Sequence, residues 1–262
     1  MKHLNKKSLG QNFLVDKNII LKIINLINLN NKNVIEIGPG AGALTDEILK
    51  KKPKSLLTIE KDFNLSKELK NKYLHNKIFK NINADILKFD LEKSCKKNTI
   101  ILGNLPYNIS SQILVKILNF KIWPPNFSDV IFMFQKELGQ KIIGKFSSKD
   151  YGRISILTDY RLSFISKFKV TANCFFPKPK IDSMVIHFKP KIKMKYTIHD
   201  LKNLERVTNI LFSNKRKMVN KNIKKILKRD YIEKINNLNL QLRPSKIKPD
   251  IFYRIAELYE IQ

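Results

Sequence analysis

Cysteine is nearly missing from these 262 residues: Cys95 and Cys174 are the only two, and neither stands in a C-x-x-C or comparable spacing. That excludes a disulfide framework and a thiolate metal site, and it predicts a reducing, cytoplasmic setting. Long apolar runs are missing too. The longest early candidate, residues 19–29, is interrupted by Lys22, Asn25 and Asn28, an amphipathic helix pattern that suits neither a membrane span nor a signal-peptide core. A soluble chain is expected. Acidic residues are scarce, 22 Asp and Glu against 51 Lys and Arg, which leaves a formal net charge of +29. Such an excess points to a polyanion, nucleic acid first. The chain is also rich in Lys, Asn and Ile together, a bias that AT-rich coding produces by itself, so the charge supports that reading without deciding it. Glycine is sparse as well, eight in all, yet three of the eight fall within residues 38–42.

What is present is organised around residues 99–108, Thr99-Ile100-Ile101-Leu102-Gly103-Asn104-Leu105-Pro106-Tyr107-Asn108. The apolar run after a β-branched threonine predicts a parallel, central strand covered on both faces. Open α/β sheets bind their ligands at the carboxyl ends of such strands. There Asn104 can accept from an exocyclic amine, the Leu105 carbonyl can accept a second N–H, and Tyr107 can stack on a flat ring. Pro106, with its fixed φ and no N–H, holds Leu105 extended. An ordinary strand-to-helix turn uses the same residue types, so the neighbouring segments have to decide.

Residues 33–37 form a β-branched run that enters Gly38-Pro39-Gly40-Ala41-Gly42, followed by a helical pattern to Lys51. Strand, glycine loop and helix bring backbone close to a ligand. The spacing is G-x-G-x-G, which departs from the dinucleotide fingerprint. Glu36, just before the loop, is unfavourable beside a pyrophosphate and tolerable beside a cation. Residues 55–60 predict a second strand ending in Glu60, placed to accept from ribose hydroxyls. Residues 78–84 predict a third that leads to Asp85, whose carboxylate can accept from the amine of an adenine. Each acid alone is equally an ordinary solvated strand end. Three in successive β-α units, with the glycine loop, describe a nucleoside site without a phosphate clamp. S-adenosylmethionine, whose sulfonium is positive, has that profile and is the expected cofactor. No metal site is expected.

The remaining segments are read more coarsely. Asp16 predicts an N-cap for a helix over 17–29. Helical spacing follows at 109–120 and 135–146, a strand at 129–134, and a closing antiparallel pair at 164–170 and 183–188. From Lys189 onward the β-rich runs stop. Helices are predicted at about 198–212, 214–229, 230–238 and 248–260, so the expected domains are 1–189 and 190–262. The 214–229 stretch holds Lys215, Arg216, Lys217, Lys221, Lys224, Lys225, Lys228 and Arg229 with no acid. Charge runs are usually solvated helix faces; one this unrelieved favours nucleic-acid contact.

Assembled in this order, the chain resembles the rRNA adenine N6,N6-dimethyltransferases of the KsgA type. The likeness rests on Leu9-Gly10-Gln11-Asn12-Phe13-Leu14, Glu36-Ile37-Gly38-Pro39-Gly40, Asn104-Leu105-Pro106-Tyr107 and Phe175-Phe176-Pro177-Lys178-Pro179-Lys180-Ile181-Asp182-Ser183. It implies a Rossmann-like, S-adenosylmethionine-dependent methyltransferase sheet of seven strands, the last antiparallel, followed by a small all-helical RNA-binding domain. It implies cofactor contacts at Asn12, Leu14, Glu36, Gly38, Gly40, Glu60, Asp85 and Asn104, and a catalytic set of Asn104, Leu105, Pro106, Tyr107 and Phe175, the last as a second stacking ring. Lys178 stands where family loops often have proline. The implied partner is small-subunit rRNA in an immature subunit, met by a monomer, and the implied product is N6,N6-dimethyladenosine at adjacent positions. A nicotinamide dehydrogenase would share the sheet without needing the Asn104–Tyr107 turn. A DNA adenine methyltransferase would share that turn, and a non-catalytic RNA-binding protein would need the charge but neither pocket.

Overall fold

The computed structural model describes residues 12–262. Leu9, Gly10 and Gln11 of the first motif lie outside the described residues. The elements run β1 (Phe13–Leu14), α1 (Lys17–Ile24), β2 (Asn33–Ile37), α2 (Ala43–Lys50), β3 (Ser55–Glu60), α3 (Phe63–Lys72), β4 (Phe79–Asn83), α4 (Leu91–Ser94), β5 (Thr99–Asn104) and α5 (Ser110–Leu118). They continue with β6 (Phe127–Gln135), α6 (Lys136–Ile142), α7 (Arg153–Arg161), β7 (Leu162–Val170), β8 (Phe175–Phe176), β9 (Ser183–Pro190), α8 (Leu201–Phe212), α9 (Asn220–Ile223), α10 (Arg229–Glu233) and α11 (Pro249–Ile261).

Seven strands form one sheet in the order β4-β3-β2-β5-β6-β9-β7. β4, β3, β2, β5 and β6 are parallel to their neighbours, and β9 runs antiparallel to β6. β5 is the middle strand, and its first five residues are buried, as a strand covered on both faces requires. Ile35 of β2 sits between Leu57 of β3 and Ile101 of β5. The chain steps outward from β2 to β3 and β4, then returns to the other side of β2 for β5, which makes the crevice between β2 and β5 the switch point where such sheets bind ligands. Gly103 is required there: a Cβ would lie 2.5 Å from the Ile37 carbonyl oxygen.

One face is covered by α1 and α2, whose Ile20, Ile23, Ile24, Leu44 and Ile48 join Val34, Ile100 and Leu102 in a single apolar cluster. α1 begins where its cap predicts, with Asp16 accepting from the Ile19 N–H at 3.0 Å. It ends at Ile24, short of residue 29. A two-stranded antiparallel ribbon, Phe13 opposite Phe176 and Leu14 opposite Phe175, stands where loops are expected.

The chain divides into two compact units. Among the described residues, the first comprises 12–117, 124–139 and 164–190; the second comprises 118–123, 140–163 and 191–262. Two inner segments, 118–123 and 140–163, thus group with the C-terminal stretch. Polar and ring contacts explain this. The Arg161 guanidinium donates to the carbonyls of Leu118 and Phe120 and lies 4.6 Å from the Trp123 ring, while the Trp123 indole N–H donates to the Lys191 carbonyl at 2.8 Å. Tyr253 donates to the Ile156 carbonyl and to Asp159. In that second unit α8 and α11 supply Leu204, Val207, Leu211, Phe252 and Ile255 to the core, with Phe212 and Phe252 stacked 5.6 Å apart.

Two expected helices are corrected. The 135–146 helix ends at Ile142, because at Gly144 the chain passes so close to the Asp150 backbone that no side chain fits. The continuous basic helix over 214–229 is instead a series of turns around the four-residue α9. Like charges at i and i+4, such as Lys217 with Lys221 and Lys221 with Lys225, oppose a continuous helix there and have no acid to offset them. Val219, Ile223, Ile226 and Leu227 are buried and pin the segment, and all eight of its basic residues are exposed.

Candidate active site

A cavity of about 420 Å³ opens at the carboxyl ends of β2, β3, β4 and β5. Asn12, Leu14, Glu36, Gly38, Gly40, Glu60, Asp85, Asn104, Leu105, Pro106 and Tyr107 all line it. The structure therefore brings together every expected site residue but one.

Its floor is the glycine loop. Gly40 takes φ +57°, a conformation that side chains rarely adopt, and a Cβ there would meet the Phe13 ring at 2.9 Å. Glu36 precedes the loop and is 1 % exposed; the Thr45 hydroxyl donates to its Oε2 at 2.6 Å. Burial pushes the Glu36 carboxyl up to about 8; the Thr45 bond opposes this, and Glu60 and Asp46 add to it. Glu60 accepts from the Gly40 N–H at 3.1 Å and from the Asp62 N–H at 2.8 Å. Burial raises its pKa as well, against those backbone bonds. Each Glu60 oxygen has a further lone pair for a ligand hydroxyl. Asp85 is held the other way, below the usual carboxylate range, first by the Lys61 ammonium at 2.8 Å and then by the Leu87 N–H at 3.0 Å.

At the turn that follows β5 the Asn104 amide nitrogen donates to the Asn12 carbonyl at 3.0 Å, which turns its oxygen to the other side. The Tyr107 hydroxyl and the Ser183 hydroxyl share a hydrogen bond of 2.6 Å. Burial raises the Tyr107 pKa, so the phenol stays neutral in the physiological range. The Pro106 carbonyl accepts from the Ile109 N–H and the Tyr107 carbonyl from the Ser110 hydroxyl, so the turn feeds directly into α5.

Phe175 is the exception and is corrected here. Its side chain is 4 % exposed within the apolar cluster and does not line the cavity, whereas Phe176 is 66 % exposed. Ribbon parity is the reason: Phe175 pairs with buried Leu14, and Phe176 pairs with Phe13 on the opposite face. Four residues were not anticipated. Phe13 lies on the glycine loop, Thr45 holds Glu36, Ser183 holds Tyr107, and Asp46 lines the cavity while accepting from Tyr73 and Lys72 at 2.6 Å each. Phe13 and Ser183 stand inside the motifs that carry the resemblance without a role assigned to them, and Asp46 shows as an acid in the first turn of α2.

The lining fits a cationic nucleoside. Glu36, Asp46, Glu60 and Asp85 face it, and the one cationic side chain among the described residues that line it, Lys61, is paired with Asp85. A pyrophosphate has no partner in this set, while a sulfonium and a ribose do. A sheet of this order with such a cavity at its switch point defines a class, the S-adenosylmethionine-dependent methyltransferases. Comparison with known proteins narrows the class: the model of the ribosomal RNA adenine dimethylase family matches residues 2–260, and the chain belongs to that family. It is 42 % identical to the ribosomal RNA small subunit methyltransferase A of Pelagibacter ubique over 260 residues, covering 97 % of each chain. To the protein of the same name from Mycoplasma mobile it is 38 % identical, covering 96 % of this chain and 97 % of that one. A dimethyladenosine transferase structure from Plasmodium falciparum shares the fold, with a TM-score of 0.75 at 23 % identity over 93 % of this chain and 95 % of the other.

Proposed function

We propose that this protein transfers methyl groups from S-adenosylmethionine to N6 of two adjacent adenosines in the 3′-terminal hairpin loop of 16S rRNA, yielding N6,N6-dimethyladenosine during small-subunit biogenesis. It acts as a monomer in the cytoplasm on an immature subunit. The observation that carries this reading is the Asn104 carboxamide, whose nitrogen is occupied by the Asn12 carbonyl and whose oxygen is left as an acceptor at the mouth of an acidic nucleoside cavity.

The cofactor supplies an electrophilic methyl on positive sulfur. Glu60 accepts from the ribose, Asp85 from the adenine amine, and Gly38, Gly40, Asn12 and Leu14 wall the cavity. Glu36 would ionise beside the positive sulfur and place negative charge behind the loop. The N6 lone pair of the target is delocalised into its ring, which makes the amine a poor nucleophile. Asn104 Oδ1 and the Leu105 carbonyl accept its N–H bonds from out of the ring plane and favour a pyramidal nitrogen whose lone pair can attack. Two alternative acceptors also serve the second round, when a single N–H remains. The methylated nitrogen is acidic enough to lose its proton to solvent, so the neutral Tyr107 serves as a stacking face and not as a base. The second ring is assigned to Phe176, and the target base enters unstacked. The exposed basic residues of 214–229 contact rRNA phosphates.

Incubation of unmethylated small subunits, large subunits and DNA with labelled cofactor, followed by mass spectrometry of the nucleosides, tests the proposal. N6,N6-dimethyladenosine in small subunits is expected. Only the monomethyl product, or label confined to DNA or large subunits, would overturn it.

A further inference from the structure

A carboxamide offers two nearly isosteric ends, an acceptor and a donor. If the Asn104 group turned by half a rotation it would present N–H groups to an incoming amine and repel it. Something other than shape has to choose the end. In this structure that choice rests on one bond, the 3.0 Å contact from Nδ2 to the carbonyl of Asn12, a residue 92 positions away. A carbonyl accepts and cannot donate, so it selects the nitrogen without ambiguity.

The Asn12 carbonyl is held by a short strap. Leu14 is buried, both strap residues Phe13 and Leu14 pair with β8, and the N–H groups of Val15 and Asp16 donate to the Cys174 carbonyl at 2.9 and 3.3 Å. Phe13, next to Asn12, lays its ring on Gly40, close enough that a single added carbon on the glycine would collide with it. Asn12, Phe13 and Leu14 all line the cofactor cavity.

We infer that this strap sets the working orientation of the Asn104 carboxamide, and that Phe13 is its positioning residue, tying the catalytic amide to the glycine loop of the cofactor cavity. The inference rests on the proposed function and deepens it. Phe13 touches neither reacting atom.

The test uses the full chain. Hydrogen exchange of the Asn104 side-chain amide is followed by NMR, its resonance assigned by its loss in Asn104→Asp. The wild-type amide should exchange at least tenfold more slowly than in Phe13→Ala, and Phe13→Leu, which keeps an apolar contact on Gly40, should restore the protection. In methyl transfer at saturating cofactor, Phe13→Ala should lower kcat at least tenfold and Phe13→Leu by less than threefold. On an Asn104→Asp background, where no donor remains, adding Phe13→Ala should change kcat by less than twofold. Unchanged exchange in Phe13→Ala, or a higher cofactor KM with kcat retained, overturns the inference and leaves Phe13 a plain cavity wall. The exchange measurement needs neither RNA nor turnover. It therefore decides the inference even where wild-type transfer to small subunits fails, an outcome that counts against the proposed function alone.

Discussion

Replacing Glu36 by Gln should stabilise the free protein at alkaline pH while weakening its hold on the cofactor. Glu36 is 1 % exposed and its carboxyl is pushed from 4.5 to about 8, chiefly by burial. A raised acid binds its proton more tightly folded than unfolded. Its contribution is intact below pH 4.5, is lost steadily as pH climbs toward 8, and stays lost above that. At about 1.4 kcal/mol per unit, the gap between wild type and Glu36→Gln should widen by roughly 3 to 4 kcal/mol from pH 5 to pH 8. For a chain of this size that is on the order of 10 °C in melting midpoint. Gln removes the charge while its carbonyl keeps the Thr45 bond. Thermal melts of both proteins at steps between pH 5 and 9 read the difference directly. A positive ligand in the cavity favours ionised Glu36, so wild-type binding of S-adenosylmethionine at pH 7 should release a proton, seen as a calorimetric enthalpy that tracks the ionisation heat of the buffer. Parallel melting profiles for the two proteins, or a wild type that gains stability from pH 5 to pH 8 relative to the variant, would refute the reasoning.

Glu60→Ala should weaken cofactor binding by roughly 1 to 3 kcal/mol through lost charge-assisted hydrogen bonds, whereas Asn104→Ala should chiefly lower turnover; normal calorimetric affinity in Glu60→Ala would remove that strand end from the site. Phe176→Ala should cut turnover with the melting midpoint unchanged, and Phe175→Ala should cost about 3 to 5 kcal/mol of stability as a core deletion; the reverse pattern would return the stacking role to Phe175. Gly103→Ala places a Cβ 2.5 Å from the Ile37 carbonyl oxygen and should destabilise by about 1 to 3 kcal/mol, a loss that chemical denaturation would detect and whose absence would mean β2 and β5 can separate freely. Changing Lys221, Lys224, Lys225 and Lys228 to Gln should flatten the salt dependence of rRNA binding by about one unit of slope per lost phosphate contact, and an unchanged slope would make the segment a solvated surface.

The sheet was legible because its central strands are buried on both faces, so that Ile100 to Leu102, followed by Asn104, and Val34 to Ile37, broken only by Glu36 one residue from its ligand end, read as apolar strands. The same logic placed Glu36, Glu60, Asp85 and Asn104 around one cavity, since parallel strands share a carboxyl edge. Phe175 and Phe176 were not separable, because a two-residue ribbon has no period from which to read its buried face. The basic stretch misled for a different reason. Val219, Ile223, Ile226 and Leu227 recur at helical spacing, yet the charges between them oppose a continuous helix and the burial is met by turns. Nor does local pattern reveal that Arg161 reaches back to Leu118 and Phe120, which draws the inner segments into the second unit.

Charge is partitioned in this molecule, and the partition bears on selectivity. A chain of formal charge +29 lines its cofactor cavity, among the described residues, with Glu36, Asp46, Glu60 and Asp85 and a single lysine already paired to Asp85. Adenine nucleotides share the adenosine that the proposed function assigns to Glu60 and Asp85, so hydrogen bonding alone cannot separate them from S-adenosylmethionine. The polyphosphate can. Its negative charge would enter among Asp46, Glu60 and Asp85, and in a half-buried setting like charges a few ångströms apart repel by several kcal/mol. The same field acts on the substrate. On the proposed function, rRNA would be drawn to the exposed Lys and Arg outside, while the carboxylates would resist its phosphates at the cavity, and a neutral base offered out of its stack is the part of the polymer that could approach Asn104. Attraction at the surface and repulsion at the pocket would then sort the nucleic acid into a backbone that docks and a base that reacts.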